Sequence, residues 1–102
     1  MGMKKQFLKT KPICRVRFEL SKEASREAKT ASIVGEFNCW DPKVTPMKKS
    51  KEGQFSATVD LETGKEFQFR YVLDGTIWEN DSEADKYIPS CFHGIENSVV
   101  VT

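Results

Sequence analysis

The 102-residue chain has three cysteines and one histidine, and neither residue is grouped. Cys14, Cys39 and Cys91 show no CxxC spacing, so no metal site is expected. An odd number cannot all pair, and reduced thiols are the simplest account. Charge of one sign is also missing. Sixteen basic residues face fifteen acidic ones, for a net charge of +1, which argues against nucleic acid or an anionic membrane as partner. No apolar run approaches the roughly 20 residues that span a bilayer. The first residues also lack the apolar segment of a signal peptide, and a cytoplasmic location is expected.

Period-two alternation is what the sequence does have. Cys14, Val16, Phe18 and Leu20 alternate with Arg15, Arg17 and Glu19. Phe55, Ala57, Val59 and Leu61 alternate with Gln54, Ser56, Thr58 and Asp60. Phe67, Phe69, Tyr71 and Leu73 oppose Glu66, Gln68, Arg70 and Val72. Each run has one buried and one wetter face, as in antiparallel sheets packed face to face. Glu52-Gly53, Thr63-Gly64 and Asp74-Gly75 fall between the runs as turns, and NSVVVT is a β-branched closing strand. The stretch SKEASREAK, residues 21–29, has no apolar stripe and is expected as a surface loop or single turn. The fold expected is all-β, an immunoglobulin-like (early-set) antiparallel β-sandwich of about seven short strands. The basic residues 1–11 are expected as a flexible tail, with one domain over 12–102.

One stretch does not fit the alternation. After the apolar run TASIVGE comes FNCWDP, residues 37–42, which sets the large Trp40 on a loop shoulder. Trp40 either folds back as a plug on the core or is displayed as a flat surface for a ligand.

With that stretch, the segments VGEFNCWDP, GQFSATVDLETGKEFQFRYVLDG, WENDSEAD and ENSVVV occur in one order. Together they resemble the glycogen-binding modules of family 48. These are the early-set domains at the N-terminus of isoamylases and branching enzymes, found also in the β subunit of AMP-activated kinase. The resemblance covers roughly residues 12–102. It implies a non-catalytic module that binds an α-glucan such as glycogen or a maltooligosaccharide, with no cofactor. By position it implies Trp40, Arg70, Trp78 and Asn97 as the carbohydrate-binding residues. Three departures stand out. Cys39 replaces an asparagine before the tryptophan. Thr76 and Ile77 lie between Gly75 and Trp78, one residue more than the kinase module has. The region SCFHGIEN stands where that module has a leucine-bearing loop tip, leaving Phe92 and His93 as candidate substitutes.

The chemistry of a glucan suits those residue types. A glucose ring exposes C–H patches on its faces and hydroxyls at its edge. An indole offers a rigid platform, and arginine and asparagine can address the hydroxyls. Each position also has a plainer reading. A two-residue Asp74-Gly75 hairpin would pair Tyr71 with Trp78 on the core face, against the family alignment, which displays Trp78. The same register pairs Arg70 with Glu79, an exposed ion pair worth little. Asn97 could cap a turn.

Catalysis is not expected. Glu79, Asp81, Glu83 and Asp85 are close in sequence, but a domain this small offers no deep cleft to perturb paired carboxylates. His93 has no nucleophile-and-acid set around it. Residues 81–92 lack the glycine and final glutamate of a calcium loop, so a polar turn with Ala84 and Tyr87 inward is expected. The leading reading is a stand-alone α-glucan-binding module. The alternative is an accessory domain of the same fold that binds a protein, such as a glycoside hydrolase family 13-type enzyme in trans. Convergence of Trp40, Trp78 and Arg70 on one exposed surface would separate the two.

Overall fold

The computed structural model describes residues 2–90 and 94–102. Among the described residues nine strands follow one another: β1 (Gly2–Phe7), β2 (Ile13–Leu20), β3 (Ala31–Gly35), β4 (Lys48–Lys49), β5 (Phe55–Glu62), β6 (Glu66–Leu73), β7 (Ile77–Glu79), β8 (Lys86–Pro89) and β9 (Glu96–Val101). One sheet has the order β1-β2-β5-β4. The other has the order β3-β6-β9-β8, with β7 also paired to β6. All pairings between these strands are antiparallel. The fold is the expected all-β sandwich.

The alternating residues account for the core. Register pairs Cys14 with Leu61, Val16 with Val59, Phe18 with Ala57 and Leu20 with Phe55, so both apolar sets share one face. Opposite them, Ile33, Phe69, Tyr71, Leu73 and Val100 close the core from the second sheet. Phe69 tilts against Phe18 at 5.0 Å between ring centroids. Fully burying one such side chain contributes about 1.5–3 kcal/mol. Residues 21–29 form hydrogen-bonded turns and no α-helix, as expected.

The N-terminal residues depart from the flexible tail expected of them. Gly2–Phe7 pair with β2 along their whole length. The open edge of β2 offers unpaired backbone groups, which are best satisfied by another strand. The lysines that made the segment look like a solvated tail find acids, Lys4 with Glu19 at 3.6 Å and Lys5 with Asp85 at 2.6 Å, while Met3 packs on the core.

The polar turn after β7 is tied to β9 and β6. Asp81 is fully buried. Its carboxylate accepts from the Tyr71 hydroxyl at 2.7 Å, and its N–H donates to Ser98 Oγ at 2.9 Å. Burial, reinforced by the Asp81 charge, pushes the Tyr71 hydroxyl pKa up, so it stays a donor. Asn80 Oδ1 accepts from the Ser98 N–H at 2.9 Å. Ala84 packs on the core as expected, but Tyr87 does not: its ring is exposed and only its hydroxyl turns in, to the Asp81 carbonyl. The hydroxyl carries the preference, because that carbonyl needs a donor.

Candidate functional site

The outer face of β6 carries the site. Gln68 and Arg70 alternate with the core residues, and Val72 follows them on the same face. Register sets Val34 opposite Arg70, Val99 opposite Gln68 and Trp78 opposite Val72. Val34, Val72 and Val99 are each at most 1% exposed although they point away from the core. They form a second, thin apolar layer on the outer side of that sheet.

Trp78 belongs to this face because of one residue. The ladder pairs Leu73 with Ile77, Val72 with Trp78 and Tyr71 with Glu79, not the register of a two-residue hairpin. Asp74 and Gly75 both have positive φ, 50° and 73°, and the Thr76 N–H donates to the Leu73 carbonyl at 3.1 Å. That closes a tight turn, and Thr76 remains as an extra residue beside Ile77. A one-residue slip exchanges the faces of a strand, so Trp78 points outward and is 45% exposed. The core placement expected from the simple hairpin is therefore overturned. Glu79 moves with the register and pairs with Arg26 at 2.9 Å instead of Arg70.

Trp40 reaches the same face from a corner. β3 ends at Gly35, where a Cβ would stand 2.5 Å from the Gln68 carbonyl oxygen and 2.8 Å from the Phe37 ring. A short 3-10 turn, Glu36–Asn38, follows. Phe37 returns to stack on Phe18 at 6.1 Å. The Asn38 side chain clips the corner, accepting from the Gly35 N–H at 2.9 Å and donating to the Ile33 carbonyl at 3.0 Å. Cys39 and Trp40 then both take left-handed backbone, φ 58° and 57°. Side-chain-bearing residues adopt it at a cost of about 1–2 kcal/mol each. Phe37 thus does the plugging and the half-buried Trp40 is turned outward.

Between the tryptophans lies a polar row fixed by one arginine. Arg70 Nε donates to Asn97 Oδ1 at 2.7 Å, and Asn97 Nδ2 donates to Gln68 Oε1 at 2.8 Å. A guanidinium can only donate, so it sets the orientation of both amides. Asn97 lies within β9 and its side chain serves this row, not the turn cap that was open to it. Trp40, Arg70, Trp78 and Asn97 together line one cleft of about 650 Å³, with Glu36, Gln68, Pro89 and Ser90 completing it. Sequence reasoning missed the last four. Gln68 was legible, two residues from Arg70 on the same face. Glu36 was not, because the 3-10 turn breaks the strand period. Phe92 and His93 lie outside the described residues. No group of three or more His, Cys, Asp or Glu suited to a metal ion occurs among the described residues.

The arrangement is two flat apolar platforms flanking N–H donors, with one carboxylate at Glu36. A family described as the glycogen recognition site of AMP-activated protein kinase matches residues 21–90. Trp40, Arg70 and Trp78 fall inside that stretch, and Asn97 lies beyond it. No curated protein matches the chain.

Proposed function

The chain belongs to the family of the glycogen recognition site of AMP-activated protein kinase, a carbohydrate-binding module, and from that premise we propose that the cleft holds an α-glucan. Glucose rings stack on Trp40 and Trp78, and the Arg70–Asn97 pair donates hydrogen bonds to hydroxyls at the ring edges. The observation that carries this reading is convergence: residues from a loop corner and three strands, separated by up to 57 positions in sequence, line one cleft. The protein-partner alternative expected those side chains to scatter and Trp78 to be buried, and neither is the case. The module has no catalytic step of its own in this reading. It holds on the polymer whatever enzyme accompanies it, of which a glycoside hydrolase family 13-type enzyme in trans is one candidate.

One neutral hydrogen bond nets only about 1 kcal/mol against water. Affinity for a single glucan chain is therefore expected in the micromolar to millimolar range, with the many chain ends of a branched polymer raising retention. Native electrophoresis through gels with and without glycogen tests this, with wild type beside Trp40→Ala. Glycogen is expected to retard the wild type and not the variant, both remaining folded by circular dichroism. Equal migration of the folded wild type in both gels would overturn the reading.

A further inference from the structure

The polar row and the carboxylate facing it have opposite hydrogen-bonding character. Because Arg70 takes Asn97 Oδ1 and Asn97 takes Gln68 Oε1, each amide oxygen already holds one donor, and the N–H groups left over on all three side chains make the row predominantly donating. Glu36 is the counterpart. The β3–β6 ladder stops at the pair Gly35–Phe69, and the Gln68 N–H just beyond it donates to Glu36 Oε1 at 2.7 Å. The carboxylate replaces the ladder acceptor that β3 no longer supplies. An ionised carboxylate offers about four acceptor sites, so this bond anchors the group and leaves most of its capacity open to the cleft that it lines.

We propose that Glu36 is a specificity residue of this cleft, selecting neutral glucans over glucans that carry a phosphate ester. The inference rests on the glucan reading above and adds the charge of the ligand to it. A hydroxyl can donate to Glu36 and accept from the Arg70–Asn97–Gln68 row. A phosphate ester can only accept once ionised, so it satisfies the row and meets repulsion at Glu36. Among the described residues that line the cleft, Glu36 sets one negative charge against one guanidinium. Without it, Arg70 is the one charged side chain among the described residues that line the cleft, and a guanidinium beside open N–H donors is suited to phosphate.

Titration calorimetry with two probes, maltoheptaose and a maltoheptaose bearing one 6-phosphate, tests the proposal in wild type and Glu36→Gln. Glutamine keeps an acceptor for the Gln68 N–H, removes the charge and turns the other acceptor oxygen into an N–H donor. The affinity for the phosphorylated probe relative to the neutral one is expected to rise about threefold to fivefold in the variant, the size of an exposed charge interaction. That gain should shrink as salt is raised. A ratio unchanged by Glu36→Gln, with maltoheptaose still bound, overturns the specificity role and leaves glucan binding intact. If neither probe binds to folded wild type, the glucan reading falls and this inference falls with it.

Discussion

The outer faces of the two sheets carry the same kinds of side chain and treat them differently. On the β1-β2-β5-β4 sheet, Arg15 meets Asp60 directly across the strands, its Nε donating to Oδ1 at 2.8 Å. Arg17 and Lys4 both lean on Glu19, at 3.2 and 3.6 Å. Each of these charges has a mate of opposite sign. On the second sheet, Arg70 gives its Nε to a neutral amide and lies in a cleft with two tryptophans over a buried layer of valines. An arginine matched by a carboxylate decorates a surface at little energetic consequence. One held by an amide keeps its charge and its remaining donors for something else.

The largest change is expected from deleting Thr76. The turn would contract to two residues and drive Trp78 toward the core face, where Tyr71 already packs. Overpacking of that kind costs about 1–3 kcal/mol, and glucan binding should disappear with the platform. A urea melt and the glycogen gel, run on the same variant, read both effects. Arg70→Ala should weaken maltoheptaose binding about tenfold to a hundredfold with the fold retained, since a hydrogen bond from a charged donor is worth about 1.5–3 kcal/mol. Arg15→Ala should leave that affinity unchanged. Equal losses from the two arginines would erase the distinction between the faces.

A smaller effect is expected at the corner that presents Trp40. Cys39→Gly places at φ 58° the residue that adopts it freely, and should stabilise the fold by up to about 1 kcal/mol while binding persists. The smallest concerns pH. The hydrogen bond from Arg15 holds the Asp60 carboxyl below its usual value, so the pair contributes above about pH 4 and its contribution fades as acid protonates Asp60. Asp60→Asn should therefore differ slightly from wild type in thermal midpoint at pH 7 and converge with it near pH 2. A difference that grows toward acid would reverse the assignment.

Legibility varied from residue to residue. The strands with their buried faces could be read directly, because alternation is a local property that burial on one side imposes along a run. The motif around Trp40 was legible as an interruption, and the split of labour between Phe37 in the core and Trp40 outside required the corner's geometry. Arg70 was placed correctly by period alone. Trp78 was not, since two residues of turn and three lead to opposite faces and both suit an Asp-Gly sequence. Gly2–Phe7 looked like a basic tail because nothing local reveals that β2 has an edge to fill or that Glu19 and Asp85 wait beside it.

What the sequence by itself determined is therefore the all-β fold, the pattern of faces and the family, all of which are written in spacings of a few residues. Only the tertiary structure decided that Trp40, Arg70, Trp78 and Asn97 line a single cleft, and that Gln68 and Glu36 stand with them. Cross-strand register makes that decision. It is set by the packing of both sheets and by one extra residue in a turn, and no single segment contains the information to fix which neighbours its outer side chains will meet.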